Sequence, residues 1–187
     1  MSLILEILEK SKNTKELLSF VKYRDDDSLW CGYVIDYSDE FVIIQHFTKF
    51  GKNDGVIVHP IDSFQRITFN DDYSTVMQCV IDYSDEIYRP IKTDLQIDKT
   101  DNLYLKILRT YLGSENNVVS VQINNDQFTT GYVTAVADDD FSMLRIGVDG
   151  EDMGIAILKT EDITSIQIDD VDNRKRNLLY KWRKASL

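Results

Sequence analysis

Apolar residues recur at helical spacing twice, about a hundred residues apart. Leu3, Ile7 and Leu8 fall on one face of a predicted opening helix, and Leu103, Ile107, Leu108 and Tyr111 on one face of a second. Ser2 and Asp101 stand where N-caps belong, since a short oxygen-bearing side chain satisfies a free N–H of the first turn. After each helix the period changes. Short runs of Val, Ile, Phe and Tyr alternate with polar residues and are separated by Asp, Asn and Gly clusters, the pattern of strands joined by tight turns. It predicts strands near 18–24, 29–37, 41–49, 55–59 and 64–69, then near 118–124, 128–137, 141–148, 154–159 and 163–168. Turns fall at Asp25–Asp27, Tyr37–Asp39 and Gly51–Asp54, and again at Asn124–Asp126, Asp138–Asp140 and Asp149–Gly150. A helical stripe at Leu178, Leu179 and Trp182 closes the chain. The same stripe at Cys79, Val80 and Tyr83 predicts a helix over about 72–86 where β-branched residues alone would permit a strand.

These halves are copies of one unit. Leu3, Leu5, Ile7 and Leu8 recur as Leu103, Leu105, Ile107 and Leu108; Gly32-Tyr33-Val34 recurs as Gly131-Tyr132-Val133. Phe41 matches Phe141, Gly55 matches Gly154, Ile67 matches Ile166 and Asp71 matches Asp170, all at an offset of 99 or 100. Several matches at nearly constant offset signify duplication. The predicted organisation is a first repeat over 1–87, a linker over 88–100 containing Pro90, and a second repeat over 101–187. One identity lies outside this scheme: VIDYSDE occurs at 34–40 and at 80–86, an offset of 46.

The expected fold class is mainly β with flanking helices (α+β). Each unit runs helix, five short antiparallel strands, helix. Its second strand carries a glycine in mid-strand, Gly32 or Gly131, where a missing side chain permits a sharp bend. Its last two strands are joined by a few residues, His59–Ser63 or Thr160–Asp162, followed by an apolar pair three apart, Phe64/Ile67 or Ile163/Ile166. On these residues both units, roughly 3–86 and 103–184, resemble the Sm-like (LSm) family. The resemblance implies two tandem small five-stranded bent barrels, each with an N-terminal and a C-terminal helix. It also implies assembly through edge strands and RNA binding through two loops. The family's first loop has Asp-x-apolar-Met-Asn; this chain has Asp39-Glu40-Phe41-Val42-Ile43 and Asp139-Asp140-Phe141-Ser142-Met143, with no Asn. Its second loop carries Arg-Gly; Pro60–Ser63 and Lys159–Asp162 have none.

Charge changes this picture. The chain has 187 residues with 21 basic and 32 acidic ones, a net of −11. Residues 171–187 hold six cations (Arg174, Lys175, Arg176, Lys181, Arg183, Lys184) against Asp172, a net of +5, so the remainder carries −16. The acidic majority opposes nonspecific nucleic-acid binding and suits a basic protein partner. The basic end is either the cationic complement of a helix C-terminus or the one stretch suited to RNA. Tyr33 and Tyr132, at one repeat position with Trp30 nearby, are either packing residues or a base-stacking surface.

No motif names a reaction. His46 and His59 lie 13 apart without a third ligand at metal spacing. Cys31, beside Trp30, reads as a small buried hydrophobe. The triplets Asp25–Asp27 and Asp138–Asp140 lack the glycine and the final Glu of a calcium loop. No run of about 18 apolar residues marks a membrane span. The N-terminus MSLILEILEK has no basic region or cleavage site of a secretory signal. The expectation is a cytoplasmic, non-enzymatic binding or scaffold protein without cofactor, metal or membrane. Its expected partners are a basic protein, RNA, or further copies of itself through edge strands.

Overall fold

The computed structural model describes residues 2–23, 29–91 and 102–185. The chain divides into two compact units, 1–84 and 85–187. The architecture is α+β, with one five-stranded antiparallel sheet and flanking helices in each unit.

In the first unit, α1 (Leu3–Thr14) starts at Ser2, whose hydroxyl accepts from the Ile4 N–H, and ends at Lys15 in the left-handed conformation. Strands β1 (Leu18–Lys22), β2 (Leu29–Tyr37), β3 (Phe41–Phe47), β4 (Asn53–Pro60) and β5 (Phe64–Thr68) follow, with a 3-10 turn over Ile61–Ser63. They order as β4-β3-β2-β1-β5. Helix α2 (Asp72–Asp82) closes the unit, and one further helical turn, α3 (Ser84–Ile87), crosses its boundary. The predicted helix over 72–86 is thus two pieces, parted at Tyr83.

The second unit repeats this order. It comprises α4 (Leu103–Thr110), β6 (Val119–Ile123), β7 (Phe128–Val136), β8 (Asp140–Ile146), β9 (Asp152–Lys159), a 3-10 turn over Thr160–Asp162, β10 (Ile163–Ile168) and α5 (Val171–Ala185). Its sheet orders as β10-β6-β7-β8-β9. Asn102 caps α4, its side chain accepting from the Leu105 N–H. Asp101, the expected cap, and the Asp25–Asp27 turn lie outside the described residues.

Packing correspondence is closest in the main cores. Leu8, Leu18, Phe20, Val34, Val42, Ile44 and Phe64 form one. Leu108, Val119, Val121, Val133, Phe141, Met143 and Ile163 form the other. Phenylalanine moves from β1 (Phe20 against Val121) to β3 (Val42 against Phe141), so large and small residues trade places at similar total volume, the kind of exchange a core tolerates best. This register corrects one sequence match. Gly32 pairs His46 where Gly131 pairs Arg145, which aligns Phe141 with buried Val42 and leaves Phe41 on the outer face.

Because side chains alternate along a strand, the sheet has a second face to bury. In unit one α2 covers it, Met77 packing with Leu17, Cys31 and Phe47. In unit two Tyr180 of α5 packs with Val118, Tyr132 and Ile146. Gly32 and Gly131 sit where β2 meets β3 and β7 meets β8. A Cβ there would run into the Gln45 or the Leu144 carbonyl oxygen, so close backbone approach explains both.

The five-stranded sheets do not close on themselves. Among the described residues β4 and β9 each pair on one side only, with β3 and β8, and β5 and β10 pair only with β1 and β6. Each sheet is open, with two free edges.

Candidate functional site

The structure brings together the two loops that the resemblance assigned to RNA. Ile61 N–H donates to the Glu40 carbonyl at 2.8 Å, and in the second unit Thr160 N–H donates to the Asp139 carbonyl at 2.9 Å. The side chains gathered there are acidic: Asp39, Glu40 and Asp62 in one unit, Asp138, Asp139, Asp140 and Glu161 in the other. In the second unit these four, with Lys159, line a cleft of about 400 Å³. Such a surface repels phosphate and attracts cations.

Each of the six cations of α5 has a partner within the unit; Arg174 and Lys175 are buried, whereas Lys181 and Lys184 are exposed. Arg174 is buried; its guanidinium donates to both Asp169 carboxylate oxygens, at 2.8 and 3.0 Å, and to the Ile87 and Arg89 carbonyls. Buried Lys175 reaches Asp149 at 3.3 Å. Arg176 pairs with Asp172 at 2.6 Å and donates to the Ile146 carbonyl. Lys181 donates to Asn116, Arg183 to the Asp149 carbonyl and Lys184 to Asp152. Of the six, only Arg183 and Lys184 lie in the last turn, where the helix dipole favours them. The first three serve as ion-pair partners near the other end.

Arg89 falls in the stretch expected as linker. It pairs with Asp169 at 2.7 Å, which ties the chain before 92–100 to the second unit; residues 92–100 lie outside the described set.

Tyr33 and Tyr132 are packing residues with engaged hydroxyls. Tyr33 donates to Gln78 at 2.9 Å and meets Phe47 edge-on at 5.2 Å. Tyr132 donates to Asn177 at 2.6 Å and meets Tyr180 edge-on at 5.5 Å. Burial pushes the Tyr132 phenol up to about 12.

His46 and His59 flank Trp30, at ring-centroid distances of 5.0 and 5.8 Å. Burial, with Lys22 nearby, holds His59 below its ordinary value. Among the described residues no group of three His, Cys, Asp or Glu is placed to hold a metal ion. Cys31 and Cys79 are buried and not joined in a disulfide, and burial pushes the Cys31 thiol up.

Strand edges are the feature that sequence reasoning located only in general terms. The outward row of β4 exposes Val56 and Val58 by 60% and 58%; that of β9 exposes Met153, Ile155 and Ile157 by 52%, 67% and 75%. Both strands are edges, so the apolar rows accompany unpaired backbone N–H and C=O groups. Beside the β5 edge runs an apolar groove of about 650 Å³, lined by Leu3, Ile4 and Ile7 of α1 and by Phe64, Ile67 and Phe69. Beside β10, Tyr104 instead donates its hydroxyl to the Thr164 carbonyl at 3.0 Å and occupies an edge acceptor. The alternation of β9 was legible in the sequence, but its place at the edge required the topology.

No helix among the described residues is long and apolar enough to cross a membrane. In comparisons with known proteins no family model, no curated protein and no solved structure matches the chain.

Proposed function

We propose that the chain is a non-enzymatic binding scaffold built from two divergent Sm-like modules, which assembles through its exposed edge strands. The carrying observation is the pair of apolar, unpaired edges β4 and β9, each the last strand of an open sheet. A long apolar edge is ordinarily covered, bulged or charged, because it templates the addition of another strand. Retaining it in both copies is consistent with an edge that is used. The strand order and the 3-10 turn before the last strand support the Sm-like reading. The groove between α1 and β5 supplies an apolar seat next to a second free edge, so a further copy is the partner this reading favours.

Light scattering across a concentration series tests it. The wild type should exceed the 21.7 kDa of one chain, and Ile155→Lys with Ile157→Lys should return it toward that mass. A wild type that stays at the mass of one chain at every concentration overturns assembly.

A second reading, a basic protein partner, is favoured by the carboxylates around the cleft of the second unit. Charge reversal at Asp139 and Glu161 should then weaken capture of a polycationic peptide and its salt dependence. Unchanged capture sinks that reading. RNA binding through α5 has less support, because each of its six cations has a partner within the unit. Fluorescence anisotropy with single-stranded RNA should show no saturable binding at low salt.

A further inference from the structure

One constellation belongs to the first unit alone, and each of its five strands contributes to it. Lys22 stands on β1, Trp30 on β2, His46 on β3, His59 on β4 and Phe64 on β5. The strand registers place Ile123, Thr129, Arg145, Leu158 and Ile163 at the same positions in the second unit. The fold therefore forms without the indole and both imidazoles, so fold alone does not account for them.

His59 is the part that chemistry singles out. Its ring meets Trp30 edge-on at 5.8 Å and Phe64 edge-on at 5.6 Å. Among the described residues its buried Nε2 has no hydrogen-bond partner, and neither has Trp30 Nε1. Lys22 Nζ lies 5.2 Å from the Trp30 ring centre, so an ammonium borders the cluster. Among the described residues Asp54 lies 3.5 Å from His46 Nδ1, beside the other imidazole. A proton added to His59 Nε2 would become a buried N–H without an acceptor, beside two aromatic rings and near a positive charge. Each of these disfavours the imidazolium.

We propose that His59 is a proton-sensitive latch in the first unit: its protonation loosens the β4 edge and the sheet behind it, while the second unit, with Leu158 at that position, stays closed. This does not rest on the scaffold reading. The direction follows from linkage. A histidine held neutral by the fold binds fewer protons than in the unfolded chain. The first unit is then fully stable above the ordinary histidine value and loses stability as pH falls through it. The opening equilibrium shifts by at most about tenfold per pH unit.

Hydrogen exchange read by mass spectrometry on the full chain, at pH about 7.5 and about 5.5 with rates corrected for intrinsic exchange, is the test. Protection over β1–β5 should fall by up to about tenfold relative to β6–β10. His59→Leu, which installs the second unit's residue, should abolish the difference, and His46→Leu should keep it. The proposal is overturned if both units lose protection in parallel, if His59→Leu retains the difference, or if His46→Leu removes it. Should His59→Leu not fold, imidazole NMR of the wild type decides, since the chain has two histidines. His59 titrating at or above the ordinary value overturns the latch, and titration below it, together with the loss of protection, sustains it.

Discussion

Tyr33 donates its phenolic hydrogen to Gln78 across the gap between β2 and α2, and the second unit rebuilds the same bond with a shorter amide, Tyr132 to Asn177. Both tyrosines precede a buried valine, and both acceptors lie 45 residues further on. The position fastens the last helix of each unit to the second face of its sheet. Tyr33→Phe and Tyr132→Phe should each destabilise their unit by about 1 kcal/mol in urea titrations, since each removes one hydrogen bond and leaves an amide oxygen short of a donor. The Tyr132 variant should lose more, because that site is the more buried. Equal and negligible losses would return the two rings to the list of candidate contact residues.

Gly32→Ala and Gly131→Ala should be far costlier than their size suggests. The added methyl meets a carbonyl oxygen of the neighbouring strand, and backbone cannot swing aside as a side chain can. We expect a loss of about 1–3 kcal/mol at each site, the range for overpacking a close contact. Gly55→Ala makes a control, since its Cβ would meet nothing within 4 Å and only its φ of +95° resists substitution. Circular-dichroism melts of the three variants should rank the control as the mildest.

Most elements were legible because two periods and a set of turn residues alternate cleanly along this chain. The strand ends at Leu29–Tyr37 and Ile163–Ile168 match expectation to the residue. Where the reading stopped short, local sequence did not hold the information. VIDYSDE is strand and turn at 34–40 but two helical pieces parted at Tyr83 over 80–86, with Val34 and Val80 both fully buried. The partner surface, a bent sheet or its second face, selects the conformation. Phe41 and Phe141 look equivalent by identity, yet one faces out and the other fills the core, because a one-residue difference reverses the face of a strand. The cations of α5 looked available because their acceptors, Asp149, Asp169 and Asn116, lie on other segments.

Arg174→Ala should be among the most damaging single changes in the second unit. Asp169 would keep a buried negative charge and lose both guanidinium bonds from Arg174, and the Ile87 and Arg89 carbonyls would lose a donor. Breaking a buried pair from one side typically costs about 3–5 kcal/mol. Arg174→Met should be milder in packing but equally deficient in hydrogen bonds. Exchange protection of 85–91 should fall in both variants before the sheet opens. Loss of protection confined to α5 would instead make the clamp local to that helix.

Asp71 supplies a pH dependence with a definite sign. It caps α2, accepting from the Ser74 N–H at 2.8 Å and from the Ser74 hydroxyl, which returns a bond from the Asp71 N–H. Those bonds, the backbone one foremost, hold its carboxyl below the usual carboxylate range. A carboxyl depressed by folding stabilises above its unfolded value, and the contribution fades as pH falls through the folded one. Asp71→Ala should therefore cost about 1 kcal/mol near neutrality, the usual worth of an N-cap. The cost should shrink as the solution is acidified past the ordinary Asp range. Asp170, which accepts from the Asn173 N–H at 2.8 Å, is the matching cap of α5, and Asp170→Ala should show a loss of similar size near neutrality. Urea titrations of both variants at neutral and acidic pH decide the matter. A cost at Asp71 that persists undiminished in acid would mean that its shape, and not its charge, holds the helix start.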